Sequence, residues 1–279
     1  MKIKEWIKYS SKLLKNINNF QLDINIILST VLKKSKSWII CFPDYILNKN
    51  DLIILNKFVK RRFYREPLSY LIKKKEFWSL DFYVSNKTII PRPDSEVLVN
   101  QALKIIKNSC LKILDLGTGC GNIAISIASS KPKCFVTGID YCNEIIKIAK
   151  YNSKNLDIKN INFFVSDWFS LINYNKYNLI VSNPPYINFK EYFNLKNEIF
   201  FEPINSLVSK NNGIFDINLI IKYAKKYLYH EGWLLLEHSW NQKKKIHALF
   251  KKYNYINITT YKDYNSFDRV TIGQFIKFK

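Results

Sequence analysis

Glycine is so scarce in this chain that its placement constrains the fold. Only seven glycines occur among 279 residues, and none precedes Gly117. Three of the seven, Gly117, Gly119 and Gly121, fall within five positions. They follow the apolar run LKILDL (111–116) and open a helical pattern through Ile123–Ala128. Glycine takes positive φ without strain and lets a ligand approach the backbone. The first turn of a helix presents unpaired N–H groups. A strand, a glycine loop and a helix N-terminus in this order predict nucleotide binding at the carboxyl end of the first strand. The competing reading is a tight strand–helix turn without a ligand.

From residue 111 onward, short apolar runs alternate with helical patterns. CFVTGID (134–140), INFFVS (161–166), YNLIVS (177–182), WLLLEH (233–238), 257–261 and 269–276 read as strands. Helices are expected near Cys142–Tyr151, 214–228 and 241–253. Such alternation implies an α/β fold with a mostly parallel sheet covered on both faces. Residues 1–75 differ. Ile3, Trp6, Ile7, Leu13, Leu14 and Ile17 recur at helical spacing, Asp23 and Asp51 are expected to cap two further helices, and Pro67 ends the last run. Residues 76–90 alternate aromatic and β-branched side chains around Ser85-Asn86-Lys87, as in a hairpin. Pro91-Arg92-Pro93 then stiffens the chain, and Asp94 is expected to cap a helix. The expected domains are therefore a helical bundle (1–75), a hairpin connector (76–92) and an α/β domain (93–279).

Hydrophobic residues make up 47% of the chain, which excludes global disorder. No run reaches the ~18 apolar residues of a membrane span, and the lysine-interleaved N-terminus is not a secretory signal. The five cysteines are scattered without a CxxC, and the three histidines lack ligand spacing. No metal site or disulfide framework is expected; the expectation is a soluble, cytoplasmic protein. The net charge of +22 invites a nucleic-acid partner. However, Lys outnumbers Arg 39 to 5, and Arg is the better phosphate fork. Abundant Lys, Asn, Ile, Tyr and Phe, all with A/T-rich codons, point to base composition as one source of the charge. Residues 1–90 carry 18 basic and 7 acidic residues, so this region is favoured to steer an acidic partner.

The glycine pattern is G-x-G-x-G, preceded by Asp115. Asp115-Leu116-Gly117-Thr118-Gly119-Cys120-Gly121 resembles motif I of the class I S-adenosylmethionine-dependent methyltransferases. Asp140 ends the second strand, where a carboxylate can accept both ribose hydroxyls or cap the next helix. After the third strand, Asp167 can accept from an adenine amino group and Trp168 can offer a face; a core Trp is the alternative. Asn183-Pro184-Pro185-Tyr186 follows the fourth strand. Its prolines fix the backbone, and the Asn183 side-chain oxygen and Pro184 carbonyl can both accept from one planar NH₂ group. Tyr186 adds an aromatic wall. Such a clamp suits an amide or a base amine, whose nitrogen gains positive charge during methyl transfer. By itself it leaves adenine N6 and glutamine N5 as alternatives.

Further motifs narrow the choice. Arg65-Glu66-Pro67, Glu76-Phe77-Trp78, Pro91 to Glu96, Glu202-Pro203 and Leu236-Glu237-His238 resemble the HemK/PrmC family from about residue 50 to Gly273. Lys73 and Ser239 stand where that family often has Gly. The resemblance implies a Rossmann-like class I methyltransferase domain with a mostly parallel seven-stranded sheet, preceded by the helical bundle and hairpin. It implies methyl transfer from S-adenosyl-L-methionine to the glutamine of the Gly-Gly-Gln motif in class-1 peptide chain release factors. Gly117, Thr118, Gly119, Cys120, Gly121, Asp140, Asp167, Trp168 and Asn183 would contact the cofactor. Asn183, Pro184, Pro185 and Tyr186 would hold the target glutamine, with Asn183, Pro184 and Tyr186 at the reacting centre. A monomer is expected, with nucleic acid disfavoured as substrate. The rivals are a ribosomal-protein glutamine methyltransferase, an adenine-N6 methyltransferase and an inactive RNA-binding scaffold. Arg92 reads equally as an ion-pair partner or a substrate contact. Glu237 and His238 read as organisers of the sheet end, and Cys120 as packing.

Overall fold

Apolar side chains at helical spacing build the first part of the chain in the computed structural model, which describes residues 1–107, 110–172, 176–195 and 197–277. Helices α1 (Ile3–Leu14), α2 (Phe20–Leu32), α3 (Lys36–Cys41), α4 (Lys49–Phe63) and α5 (Leu68–Ile72) enclose Trp6, Ile24, Ile27, Leu28, Leu55 and Val59. Two capping expectations fail here. Asp23 lies inside the first turn of α2 and is buried, where it accepts from Arg62 Nε at 2.6 Å. A buried guanidinium outbids a helix terminus for that carboxylate. Asn48, not Asp51, caps α4, its side chain accepting the Asp51 N–H at 2.8 Å. Met1–Lys74 forms one unit with Lys196–Phe201; Lys75–Leu195 and Glu202–Lys279 form the other.

The hairpin pairs β1 (Lys74–Phe77) with β2 (Leu80–Tyr83). Its turn is Trp78-Ser79, both at positive φ (53° and 56°), not the expected Ser85-Asn86-Lys87. Two consecutive positive φ values match the twist of a two-residue hairpin. No Asn or Gly signals the turn, because remote partners hold it: the Trp78 N–H donates to Glu96 Oε1 and its indole to Ser130 Oγ, each at 3.0 Å.

In the second unit, helix α6 (Glu96–Ile106) begins after a 3₁₀ turn, Pro93–Ser95, so Asp94 lies within that turn instead of capping the helix. There follow β3 (Lys112–Leu116), α7 (Asn122–Ser130), β4 (Phe135–Asp140), α8 (Asn143–Asn155), β5 (Ile161–Val165) and β6 (Tyr177–Ser182). Single turns α9 (Phe189–Tyr192) and α10 (Lys210–Gly213) precede α11 (Phe215–Ala224), β7 (Leu228–Glu237), α12 (Lys243–Lys252), β8 (Tyr255–Lys262) and β9 (Asp268–Phe275). The seven-stranded sheet has the order β5-β4-β3-β6-β7-β9-β8. Only β9 runs antiparallel to its neighbours. This is the expected mixed α/β architecture. Strand β7 starts five residues before the expected run, because exposed Tyr229, His230 and Glu231 mask it in the sequence. Leu114, Leu116, Ile180, Leu234 and Leu236 pack against Ile217, Ile220, Ile221, Ile246 and Phe250 in the core. Among the described residues, no helix is long and apolar enough to cross a membrane.

Candidate active site

The order of the strands reverses between β3 and β6, and ligands of open parallel sheets bind outside the carboxyl ends of strands at such a switch point. The glycine loop leaves β3 there. Gly117, Gly119 and Gly121 all have positive φ, at 70°, 56° and 87°. A Cβ on Gly121 would press on Ile125 Cδ1 at 2.9 Å and on Ala149 Cβ and Phe163 Cζ at 3.3 Å, and its φ of 87° strains any other residue. The loop is pinned on two sides. The Thr118 N–H donates to the Ile139 carbonyl at 2.8 Å, and Thr118 Oγ1 donates to Asp115 Oδ2 at 2.7 Å. Asn152 on α8 holds it from behind, donating to the Cys120 carbonyl at 2.8 Å.

Asp140 closes the loop from β4, accepting the Gly119 N–H on Oδ2 at 2.9 Å. The backbone N–H groups of Tyr141 and Cys142 also favour the ionised form of this carboxylate. Burial pushes Asp140 up to about 6 and Asp115 up to about 7. Asp115 Oδ1 is buried with no hydrogen-bond partner among the described residues. Trp168 takes a positive φ of 45°; the Ser166 hydroxyl supports this turn by donating to the Trp168 carbonyl and accepting the Leu171 N–H.

A cleft of about 190 Å³ opens here, lined by Gly117, Asp140, Tyr141, Ser166, Asp167, Trp168, Pro185, Asn205 and Asp216. Five of these are residues the sequence singles out. Thr118, Cys120 and Gly121 are buried behind the loop. Burial pushes the Cys120 thiol up to about 12, so it stays protonated. Tyr141 and Ser166 flank singled-out residues, but Asn205 and Asp216 carry no sequence signal. They arrive from the segment between β6 and β7, where Ser209 Oγ donates to Asp216 Oδ2 at 2.5 Å.

Asn183 follows β6 and donates its Nδ2 to Ser95 Oγ at 3.1 Å. Among the described residues, no hydrogen bond engages its Oδ1. Pro184 is buried. The Tyr186 hydroxyl donates to Glu237 Oε1 at 3.2 Å, and the Tyr186 carbonyl accepts from Gln242 Nε2 at 3.0 Å. Burial, with the Glu237 charge, holds the phenol above its ordinary pKa. Arg92 pairs with Glu202, whose other oxygen accepts the Ile90 N–H. His238 is fixed by the Ser239 carbonyl and Thr271 Oγ1, each at 2.8 Å, and burial lowers it to about 4. It is thus neutral and fully engaged.

Residues 107–273 match the methyltransferase domain family, and residues 5–72 match the PrmC N-terminal domain. A release factor glutamine methyltransferase of Buchnera aphidicola subsp. Baizongia pistaciae is 52% identical over 276 residues, covering 98% of this chain and 99% of its own. The Escherichia coli K12 protein of the same description is 36% identical, covering 99% of both chains. Among solved structures, a methyltransferase from Pyrococcus furiosus superposes with a TM-score of 0.54 at 18% identity, covering 77% of this chain and 96% of its own. The sheet order, the glycine loop and the matched domain define a class I, Rossmann-like methyltransferase. With both of its domains matched and full-length relatives at this identity, the chain belongs to the release factor glutamine methyltransferase family.

Proposed function

We propose that this protein methylates the side-chain amide nitrogen, N5, of the glutamine in the Gly-Gly-Gln motif of class-1 peptide chain release factors, using S-adenosyl-L-methionine. The reading is supported by the full-length relatives and by the acceptor geometry at Asn183. The cleft fits the cofactor: Asp140, Asp167 and Asp216 line it, an acidic wall inside a chain of net charge +22. Carboxylates suit a ligand that bears a sulfonium, an ammonium and a ribose diol, and they oppose a polyanion. Asp140 would take the ribose, Asp167 and Trp168 the adenine, and the Gly117–Gly121 loop the amino-acid end. When bound, the cofactor supplies an electrophilic methyl group: an N–C bond forms as the S–C bond breaks, and the amide nitrogen then loses a proton.

The chain's own residues supply position and electrostatics. Asn183 Oδ1 and the Pro184 carbonyl accept the two amide hydrogens, an arrangement that tightens as the nitrogen becomes positive. Tyr186 and Pro185 wall the amide plane and hold it for in-line attack. No strong base is needed before transfer, consistent with a His238 that has no free nitrogen. The protein is read as a cytoplasmic monomer, with residues 1–75 recognising the protein substrate, residues 76–92 as connector and residues 93–279 as the catalytic domain.

Single-turnover assays with labelled cofactor and release factor, ribosomal protein or DNA, followed by mass spectrometry, test the substrate. Methylation of DNA or ribosomal protein in preference to release factor would overturn the reading. Asn183→Ala is expected to slow turnover by ~10²–10³ with its melting temperature unchanged and its cofactor affinity reduced far less than its turnover. A rate within about twofold of the parent would remove the amide clamp.

A further inference from the structure

Tyr186, the aromatic wall of the clamp, is gripped at both ends by one short segment. Its hydroxyl donates to Glu237 Oε1 at 3.2 Å, at the close of β7. Its carbonyl accepts from Gln242 Nε2 at 3.0 Å, in the turn that follows. Among the described residues, no main-chain N–H reaches that carbonyl. Gln242 ends the 3₁₀ turn Trp240–Gln242 and is 6% exposed. The same Nε2 donates to the Gly213 carbonyl at 3.3 Å, and Oε1 accepts the Ser239 N–H at 3.0 Å. Gly213 leaves room for this arrangement: a Cβ there would stand 2.0 Å from the Tyr186 carbonyl oxygen and 2.8 Å from Gln242 Nε2. The residue after Tyr186 is fixed as well. The Ile187 N–H donates to the Leu207 carbonyl at 2.9 Å, and the Ile187 carbonyl accepts the Ser209 N–H at 3.0 Å.

The orientation of the Gln242 amide is determined by backbone groups of fixed polarity. A peptide N–H only donates and a peptide carbonyl only accepts. Oε1 must therefore face Ser239, and the NH₂ must face Tyr186 and Gly213. Both hydrogens of this buried amide are used within the fold. We propose that Gln242 is a positioning residue for methyl transfer: it holds the Tyr186 backbone, and with it the ring and the preceding prolines, against the Gly213 turn. This rests on the amide-methyltransferase reading above. Proline has no N–H, so Pro184 and Pro185 give the clamp no main-chain donor with which to anchor itself. The hold comes instead from a side chain 56 positions away. Without it the Tyr186 carbonyl is left unbonded among the described residues, and the wall can drift. A displacement of about 1 Å at a reacting centre costs on the order of a hundredfold in rate.

Two substitutions separate positioning from folding, with rates read well below each variant's melting temperature. Gln242→Met keeps the length of the side chain and gives no hydrogen to either carbonyl. It is expected to lower kcat about five- to a hundredfold, the range for leaving a buried acceptor unsatisfied, with KM for the protein substrate near the parent value. Gln242→Glu adds a signature in pH. Ionised, it offers the two carbonyls no hydrogen; protonated, it offers one. At saturating cofactor, the ratio of its kcat to the parent's is expected to rise several-fold from pH 9 to pH 6, while the ratio for Gln242→Met stays flat. Asp140, Glu237 and His238 titrate in parent and variant alike and cancel in the ratio. A Gln242→Met rate within about twofold of the parent, or a Gln242→Glu ratio that does not change with pH, would overturn the proposal. So would a loss confined to KM. Melting of both variants below the assay temperature would also overturn it, because Gln242 would then serve the fold alone. Each ratio is taken on whichever substrate the parent methylates. Failure of the parent to methylate release factor would therefore sink the substrate reading and leave this test standing.

Discussion

Burial pushes the Asp140 carboxyl up to about 6, while the N–H groups of Gly119, Tyr141 and Cys142 act in the opposite direction. Its pH behaviour follows from that sign. In the cofactor-free protein, a carboxyl raised above its unfolded value of 3.8 contributes stability below that value and loses it as the pH rises through about 6. Cofactor affinity runs the other way, because the ionised form is the stronger acceptor for a ribose diol. Calorimetry from pH 8 to pH 5 should show binding weakening as the pH falls through about 6, and Asp140→Asn should flatten that profile. Asp140→Ala should cost about 1.5–3 kcal/mol of binding. Unchanged affinity in the alanine variant would remove Asp140 from the ribose site.

Backbone strain locates two informative substitutions in the connecting elements. Lys73 ends α5 at a φ of 55°, the left-handed conformation that favours glycine at a helix C-terminus. The loop therefore keeps its shape without the glycine that the family resemblance leads one to expect there, and the lysine bears the strain. Lys73→Gly is expected to raise stability by about 0.5–1 kcal/mol, the left-handed penalty less the entropy of a glycine. Denaturant unfolding reads this directly. Ser239, the other departure, has an ordinary φ of −70° and needs no glycine. Gly213 is the converse case. Its φ is 78°, and a Cβ there would lie 2.0 Å from the Tyr186 carbonyl oxygen. Gly213→Ala should therefore displace the clamp from behind, lowering the methylation rate at least tenfold while cofactor affinity holds. A normal rate in that variant would show that the Tyr186 backbone can move without consequence.

At the scale of the molecule, a strongly basic chain carries an acid-lined cleft. The positive charge is therefore read as acting on the approach of the protein substrate, not on the cofactor. Raising the salt from about 0.05 to 0.5 M should lower kcat/KM for release factor several-fold while leaving kcat nearly constant, since screening acts on encounter. Removing residues 1–72 should spare cofactor binding, because every residue lining the cleft belongs to the second unit. It should also cripple methylation of intact release factor. A truncated protein that melts cooperatively and keeps the full rate would show that the helical unit does not recognise substrate. The truncation also removes Arg62, which donates to Glu198 at 2.7 Å as well as to Asp23.

Local patterns carried much of this architecture. The runs at 111–116, 134–140 and 177–182 became β3, β4 and β6 almost residue for residue, because a buried parallel strand must be apolar over its whole length. The glycine loop was legible for a similar reason: positive φ at three nearby positions restricts the residue type. What the sequence did not show depends on partners far along the chain. The hairpin turned at Trp78-Ser79 because Glu96 and Ser130 hold it there. Asp23 left its expected cap for Arg62, 39 positions away. Asn205 and Asp216 reached the cleft on a segment without a motif, and Ser95 and Glu237 met the clamp across 88 and 51 positions. Neighbouring residues determine φ, ψ and periodicity, so they determine elements. Which polar side chains meet in the interior is decided only when packed elements leave those groups no water to bond with.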